Sequence, residues 1–521
     1  MNSRTRTIGA IIGIIAVIVI GSVGTFIAIY LLPNFFDIID DIIIPDPPNL
    51  YEYPGFGEQK MPLDQTIKVG ILDDMSWSGE GCYQAAWIAA RDINVAGGIT
   101  IGGVKYYVGL VEEDTKENFG TQDEANAAAY RMIDHAPHFC LGGFKKERFS
   151  SYQDIMMTAK IPFIITGTAS EEFCRERITA NPDFYKYTFR VTPTNYRIQG
   201  EVMGKYIANR LITNISTHIG ASVNNITLVY EQLDWTQLVS LYVQQEILAV
   251  HPGISFTLKP IPAGATSDTY DFATLMDTVN DTKCPLILQV IESTNIGGAM
   301  GKVYGIIKPH ALLMGINILA QFSIYLDFTG YNSITPFGLS TGGLYEITSH
   351  AYAELNTSSL THDFLAAYRT VWSIDPIYTS IGGYNGLRMG VAAIASTGFS
   401  PDNIVTGLEA YDIDSSYPGV ISDVAFDQYH DCMDHNGSAE TEGLAETLWR
   451  QWQPVNNNAT AFSFDFNYSC PVVPGVYYGA GIAPNRLMDS WVPTATATLP
   501  ERAYKNRILF PHWWIGALSI V

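Results

Sequence analysis

The chain has 521 residues, 47% of them hydrophobic and only 16% charged, which excludes an intrinsically disordered polymer and supplies a core for two or three domains. Its 30 Lys and Arg face 52 Asp and Glu, and a net charge of −22 is the wrong sign for a nucleic-acid-binding face.

Arg4 and Arg6 precede an almost unbroken apolar run over 8–32, and Asp37, Asp40 and Asp41 follow it. Roughly 20 apolar residues span a bilayer, and positive charge ahead of such a run keeps the N-terminus in the cytoplasm. A cleaved signal peptide has a shorter apolar core and a small-x-small site, which is not evident here. Residues 1–33 are therefore expected to be a retained membrane anchor. The protein would then be a single-pass protein of the cell membrane with its body on the extracellular side. Residues 34–63 contain Ile-Pro-Asp-Pro-Pro and Tyr-Pro-Gly-Phe-Gly and read as a semi-rigid linker.

From Gln65 the texture changes to short β-rich runs alternating with helical stretches. Strands are predicted at 67–72, 105–111, 138–141 and 162–166, with helices at 79–95, 122–135 and 150–159 between them. The pattern restarts near Tyr196, with helices at 198–211, 236–250, 271–280 and 297–306 and strands at 225–230, 255–259 and 285–290. This alternation implies βαβ units and parallel sheets covered on both faces. The fold class is α/β: two doubly wound, Rossmann-like lobes, with Tyr187-Thr-Phe-Arg-Val-Thr-Pro193 as an extended crossing between them. Gly97, Gly98, Gly102 and Gly103 follow a helix and precede a strand, the reverse of a phosphate loop, so they read as caps and turns.

In open α/β sheets ligands bind beyond the C-terminal ends of strands. Four stretches lie there. Ser76, Trp77 and Ser78 offer hydroxyls and an aromatic, or a simple helix N-cap. Gly142-Gly-Phe-Lys-Lys-Glu-Arg148 is a charged loop or a solvated turn. Thr168, Ala169 and Ser170 offer hydroxyls and backbone amides that can hold a carboxylate, or ordinary turn chemistry. Glu292 and Ser293 end a strand, where a half-buried carboxylate wants a cation: a ligand ammonium, or a nearby Lys or Arg. Trp235 would wall the cleft or pack. Asp431, Asp434 and His435 read as a surface loop, and no nucleophile elbow, metal-ligand spacing or cofactor motif is present. No enzyme activity, cofactor or metal is therefore expected.

N-x-Ser/Thr sequons at Asn214, Asn225, Asn280, Asn356, Asn436, Asn458 and Asn467 point to a glycosylated surface. Cys432 and Cys470 flank a polar, sequon-bearing segment and are expected to form a disulfide, whereas Cys140 and Cys284 sit at apolar strands as buried thiols.

The order of several stretches resembles the type I periplasmic-binding proteins of the branched-chain amino-acid and amide class. They are Ile67-Lys-Val-Gly-Ile-Leu, Ser76-Trp-Ser-Gly, Ala90-Arg-Asp-Ile-Asn-Val-Ala-Gly-Gly-Ile, Glu112-Glu-Asp-Thr, Ile161-Pro-Phe-Ile and Phe189-Arg-Val-Thr-Pro-Thr. Further on come Phe364-Leu-Ala-Ala-Tyr, Asp375-Pro, Tyr384-Asn-Gly-Leu, Ala425-Phe-Asp-Gln and Ile508-Leu-Phe-Pro. The resemblance implies lobe 1 over 64–190 and 345–422, lobe 2 over 191–344 and 423–521 with an insertion near 454–505, and a multi-strand hinge. It implies a receptor that closes on an amino acid or similar small polar solute and delivers it to an ABC transporter permease. It also implies that Thr168 and Ser170 hold the ligand carboxylate, that Trp235 covers the ligand and that Glu292 meets its α-amino group. Phe144-Lys-Lys-Glu departs from the family's small hydroxyl residues and leaves room for a larger or more acidic ligand. A ligand-sensing ectodomain and a structural surface glycoprotein that kept the fold are the alternatives.

Overall fold

The computed structural model describes residues 49–321 apart from 77, 118, 119 and 308, residue 325, 338–342, 359–433 apart from 375, 421 and 422, and the strands 448–452 and 487–489. Described residues from Tyr51 onward belong to one compact unit. The first part of the chain forms β1 (Thr66–Asp73), α1 (Ser78–Val95), β2 (Ile99–Ile101), β3 (Val104–Asp114), α2 (Gln122–Asp134), β4 (Phe139–Gly142), α3 (Lys146–Thr158), β5 (Phe163–Ile165) and β6 (Thr188–Arg190). Next come α4 (Tyr196–Tyr206), α5 (Ile212–Ile219), β7 (Asn225–Glu231), α6 (Asp234–Val250), β8 (Ser255–Ile261), α7 (Phe272–Asp281), β9 (Leu286–Ile291), α8 (Thr294–Ile307), β10 (Leu312–Asn317) and β11 (Gly338–Gly342). The remainder holds α9 (Ser359–Trp372), α10 (Tyr378–Thr397), α11 (Pro401–Glu409), β12 (Leu448–Trp452) and β13 (Leu487–Asp489).

Two sheets result, ordered β2-β3-β1-β4-β5-β6 and β13-β12-β11-β10-β9-β7-β8. Every strand pairing is parallel except β2–β3, β11–β12 and β12–β13, which are antiparallel. A parallel strand is buried on both faces and so reads as a continuous apolar run. In β1 every residue except Lys68 is buried, and in β9 all six are. Alternation then assigns the faces. Leu286, Leu288 and Val290 of β9 join one core with Val239, Val243 and Ile247 of α6, while Ile287 and Ile291 join another with Met276 of α7 and Met300 of α8. In each sheet one strand has its two sequential successors on opposite sides: β1 between β3 and β4, and β7 between β8 and β9. Such switch points open a crevice at the C-terminal ends of the strands.

Several sequence expectations change. Helix 198–211 is α4, a wider turn over Ile207–Leu211, and then α5, which ends on Gly220 at φ 66°. Gly97 and Gly98 stop α1 with φ of 97° and 76°, the amide of Gly98 donating to the Ile93 carbonyl at 2.9 Å, as a helix cap requires. Tyr51 and Tyr53, expected within the linker, are buried against the first sheet, and Glu52 pairs with Leu110 of β3. The two rings lose more exposed apolar surface by docking than a polar spacer would.

The expected span over 8–32 lies outside the described residues, and among those described no helix is long and apolar enough to cross a membrane. The longest apolar helix, α10, owes its composition to burial: it packs so closely on α1 that a Cβ at Gly383 would stand 2.3 Å from the Cys82 carbonyl oxygen. The assignment as a single-pass membrane protein with an N-terminal anchor is therefore withdrawn. The expected Cys432–Cys470 disulfide is also corrected. Cys432 is a buried free thiol directed at the Pro193 carbonyl at 3.7 Å, and Cys82, Cys140, Cys174 and Cys284 are likewise free and buried. Cys470 lies outside the described residues, as do the sequon asparagines Asn356, Asn436, Asn458 and Asn467. Asn214 falls within α5, Asn280 is exposed in the last turn of α7, and Asn225 starts β7 with its side chain taken by Thr257.

Asp431, expected on the surface, is buried. Its carboxylate receives both Nε and an Nη of Arg190 at 2.7 Å, and Arg190 is itself fully buried at the end of β6. Arg190→Met would leave Asp431 buried without its counter-charge, and removing one partner of such a pair costs about 3–5 kcal/mol. The denaturation midpoint of the variant measures this; a loss below about 1 kcal/mol would mean the charge is relieved elsewhere.

Candidate functional site

β4 ends at Gly142, and the chain turns through Gly142 and Gly143 (φ 138° and 79°) into α3. The buried Glu117 fixes this turn by accepting from the amides of Phe144, at 3.2 Å, and Lys145, and from the Tyr152 hydroxyl at 2.7 Å. Burial pushes the Glu117 carboxyl up to about 7, against the opposing pull of the Lys145 amide and Tyr152, with Asp74 adding repulsion. Burial and the charge of Glu117 also raise Asp73 well above the usual carboxylate range. α3 starts one turn earlier than expected, so Lys146 opens the helix.

β5 leads into Thr166–Ser170, where Thr168 and Ser170 are buried. The Thr168 amide donates to the Gly143 carbonyl at 2.8 Å, and its hydroxyl oxygen accepts from the Ser170 amide at 3.4 Å. The other Nη of Arg190 donates to the Thr168 and Ser170 carbonyls at 3.1 and 2.7 Å. The loop is thus held from behind through its carbonyls, while its two hydroxyl oxygens act as acceptors, from the Ser170 and Glu172 amides.

The second sheet supplies the opposite wall by the same device. Glu231, at the end of β7, accepts from the amides of Glu292 and Ser293 at 3.0 and 2.8 Å and from the Ser293 hydroxyl. Glu292 follows β9 and is largely buried. Its Oε2 accepts from Trp235 Nε1 at 2.6 Å, and its Oε1 lies 3.6 Å from Lys145 Nζ. Burial raises the Glu292 carboxyl, and Lys145 and Trp235 pull it back. Lys146 Nζ meets Asp234 at 3.3 Å and Glu172 at 3.7 Å.

Between these walls is a solvent-connected cleft. Thr168, Ala169, Ser170, Trp235 and Glu292 line it. The other expected site residues do not meet there. Ser76 turns back to Asp74, its amide donating to Oδ1 at 2.9 Å. Ser78 is buried at the start of α1, with its carbonyl taken by Thr379 at 2.6 Å. Ser293 is spent on Glu231, and Trp77 lies outside the described residues. Lys145 and Lys146 line the cleft, so the loop read as either charged or solvated is the former. Phe144, from that same loop, lines it too; Tyr378, Gln199, Pro193, Ile316 and Ile318 also line it, and sequence reasoning missed these five as site residues. Ile316 and Ile318 could have been sought at the end of β10, a strand the apolar run Ala311-Leu-Leu-Met betrays; Tyr378 has no local signal, because α10 carries it in from far along the chain.

No family model and no curated protein matches this sequence. Solved structures do match its fold. The substrate binding protein of the branched-chain amino acid transporter of Streptococcus pneumoniae, in complex with isoleucine, aligns with a TM-score of 0.56 at 15% identity over 74% of this chain and 96% of its own. A leucine binding protein of Thermotoga maritima aligns at 0.56 and 14% identity, covering 74% and 95% of the two chains. A solute binding protein of an ABC transporter from Rhodopseudomonas palustris, in complex with 3,4-dihydroxy benzoic acid, aligns at 0.55 and 15% identity, covering 75% and 94%. The chain therefore has the fold of the type I periplasmic binding proteins of branched-chain amino acid ABC transporters.

The raised carboxyl of Glu117 has a signed consequence. The folded state holds this proton up to about pH 7, whereas the unfolded chain releases it near 4.5. Stability from this group is thus full below pH 4.5 and declines as pH rises towards 7. Glu117→Gln should flatten the fall in unfolding free energy between those values. An unchanged slope in pH-dependent denaturation would show that Glu117 does not titrate there.

Proposed function

We propose that this protein is a solute-binding protein of an ABC-type transport system, which captures a small carboxylate-bearing solute between two lobes and carries out no chemistry on it. Lobe 1 comprises 64–190 with 345–422, and lobe 2 comprises 191–344 with 423–521, so each sheet with its helices forms one lobe. The observation that carries the reading is the cleft itself: Thr168 and Ser170, after a strand of one sheet, face Trp235 in the first turn of α6 and Glu292 after a strand of the other. Hydroxyl donors on one side and an aromatic face on the other suit a solute with one anionic end and an apolar body. The structural relatives complexed with isoleucine and with 3,4-dihydroxy benzoic acid carry solutes of that build, which supports the reading. Lobe closure around the solute would present a surface to the permease.

In this reading Thr168 and Ser170 bind the carboxylate. Hydrogen bonds to a charged group contribute about 1.5–3 kcal/mol each, so Thr168→Val with Ser170→Ala should weaken binding at least about tenfold per site without unfolding the chain. A thermal-shift screen across amino acids, amides and small carboxylates tests the function directly. A solute at about 100 times its Kd adds roughly 2.7 kcal/mol of stability. Failure of every such compound to raise the melting temperature would defeat the reading.

A further inference from the structure

Among the described residues lining the cleft, Glu292 is the one carboxylate, and it is the group an ammonium-bearing solute would need. Both of its oxygens are engaged from within the chain. Trp235 Nε1 donates to one at 2.6 Å, and the Lys145 ammonium stands 3.6 Å from the other. The position of Lys145 is itself built. Glu117 grips the amides of Phe144 and Lys145, and the turn at Gly142 and Gly143 brings the loop over the cleft. We propose that Lys145 takes the place of a ligand ammonium on Glu292, so that the site selects a monocarboxylate with an apolar body and no α-amino group. This rests on the solute-binding reading above and narrows its substrate class.

The chemistry follows from charge and shape. Paired with Glu292, Lys145 still has N–H donors directed at the cleft, and these add to the hydroxyls of Thr168 and Ser170 around a ligand carboxylate. A ligand ammonium entering the same space would meet Lys145 as a like charge and would find no free carboxylate. Specificity is a difference of affinities, and Lys145 is the repulsive element against amino acids. Phe144, Trp235, Tyr378, Ile316 and Ile318 form the apolar surround and accept an aromatic or branched aliphatic body.

The test compares pairs of compounds that differ only in the α-ammonium group: 4-methylpentanoate with leucine, and 3-phenylpropanoate with phenylalanine. Titration calorimetry on the full chain should show at least one amine-free acid binding at least about tenfold more tightly than its amino-acid partner. Lys145→Met uncovers Glu292 and should shift the preference at least about tenfold towards the amino acid; adding Glu292→Gln to that variant should abolish the shift. Tighter binding of the amino acids by the wild-type protein overturns the inference while leaving the solute-binding function standing. Binding of neither member of either pair overturns the inference, while the solute-binding function then stands or falls with the wider thermal-shift screen. The wild-type comparison decides the question even if the Lys145 variant fails to fold.

Discussion

The buried pair of Arg190 and Asp431 is the contact on which the geometry of the cleft depends. A guanidinium without water must satisfy its donors inside the protein, and here they are shared between two remote parts of the chain. Nε and one Nη bind Asp431, which belongs to a segment far along the chain, and the other Nη holds the Thr168 and Ser170 carbonyls. Asp431 also accepts from the Asn195 side-chain amide at 2.8 Å, and Asn195 Oδ1 caps α4 by accepting from the Ile198 amide at 3.0 Å. One ion pair thus links the last strand of the first sheet, the cleft-lining hydroxyl loop and the first helix of the second sheet. Its net contribution to stability is modest compared with an apolar replacement of both partners, but neither partner can be lost alone.

A second device appears once in each sheet. Glu117, which follows β3, takes the amides of two successive residues, Phe144 and Lys145, from the loop after β4. Glu231 takes the amides of Glu292 and Ser293 in the same way. In both cases the loop so held carries the charged side chain that meets its counterpart across the cleft: Lys145 from one side, Glu292 from the other. These two acids are therefore structural, and their carboxyl oxygens orient backbone where a parallel sheet leaves amides unpaired at its strand ends. Lys146 adds a second pairing across the same gap with Asp234, although Asp234 is 76% exposed and water weakens that contact.

The alternation of apolar runs and helical stretches was enough to place nearly every element from β1 to α8, because burial on both faces of a parallel strand leaves an unmistakable pattern. Helix ends were less legible. α3 begins a turn early because Lys145, an unremarkable residue in isolation, has its amide taken by Glu117 and enters the helix from a fixed position. Asp431 looked like part of a polar surface loop because its partner, Arg190, is remote in sequence. Ser76 and Ser78 looked like cleft residues because their hydroxyls follow a strand, yet Asp74 and the packing of α10 claim that corner. Cys432 looked like half of a disulfide from its flanking sequence, and is a thiol buried beside the crossing at Pro193.

The sequence by itself determined the class of fold, the crevice at the strand ends and the candidate status of Thr168, Ser170, Trp235 and Glu292, since all of these follow from local periodicity and from which loop follows which strand. It also named the choice at Glu292, between a ligand ammonium and a basic residue of the chain. Only the tertiary structure brings one such basic residue, Lys145, to 3.6 Å from that carboxylate. The reason is physical: an ion pair between loops of different sheets depends on where two strand ends are carried in space, and no spacing along the chain encodes that separation.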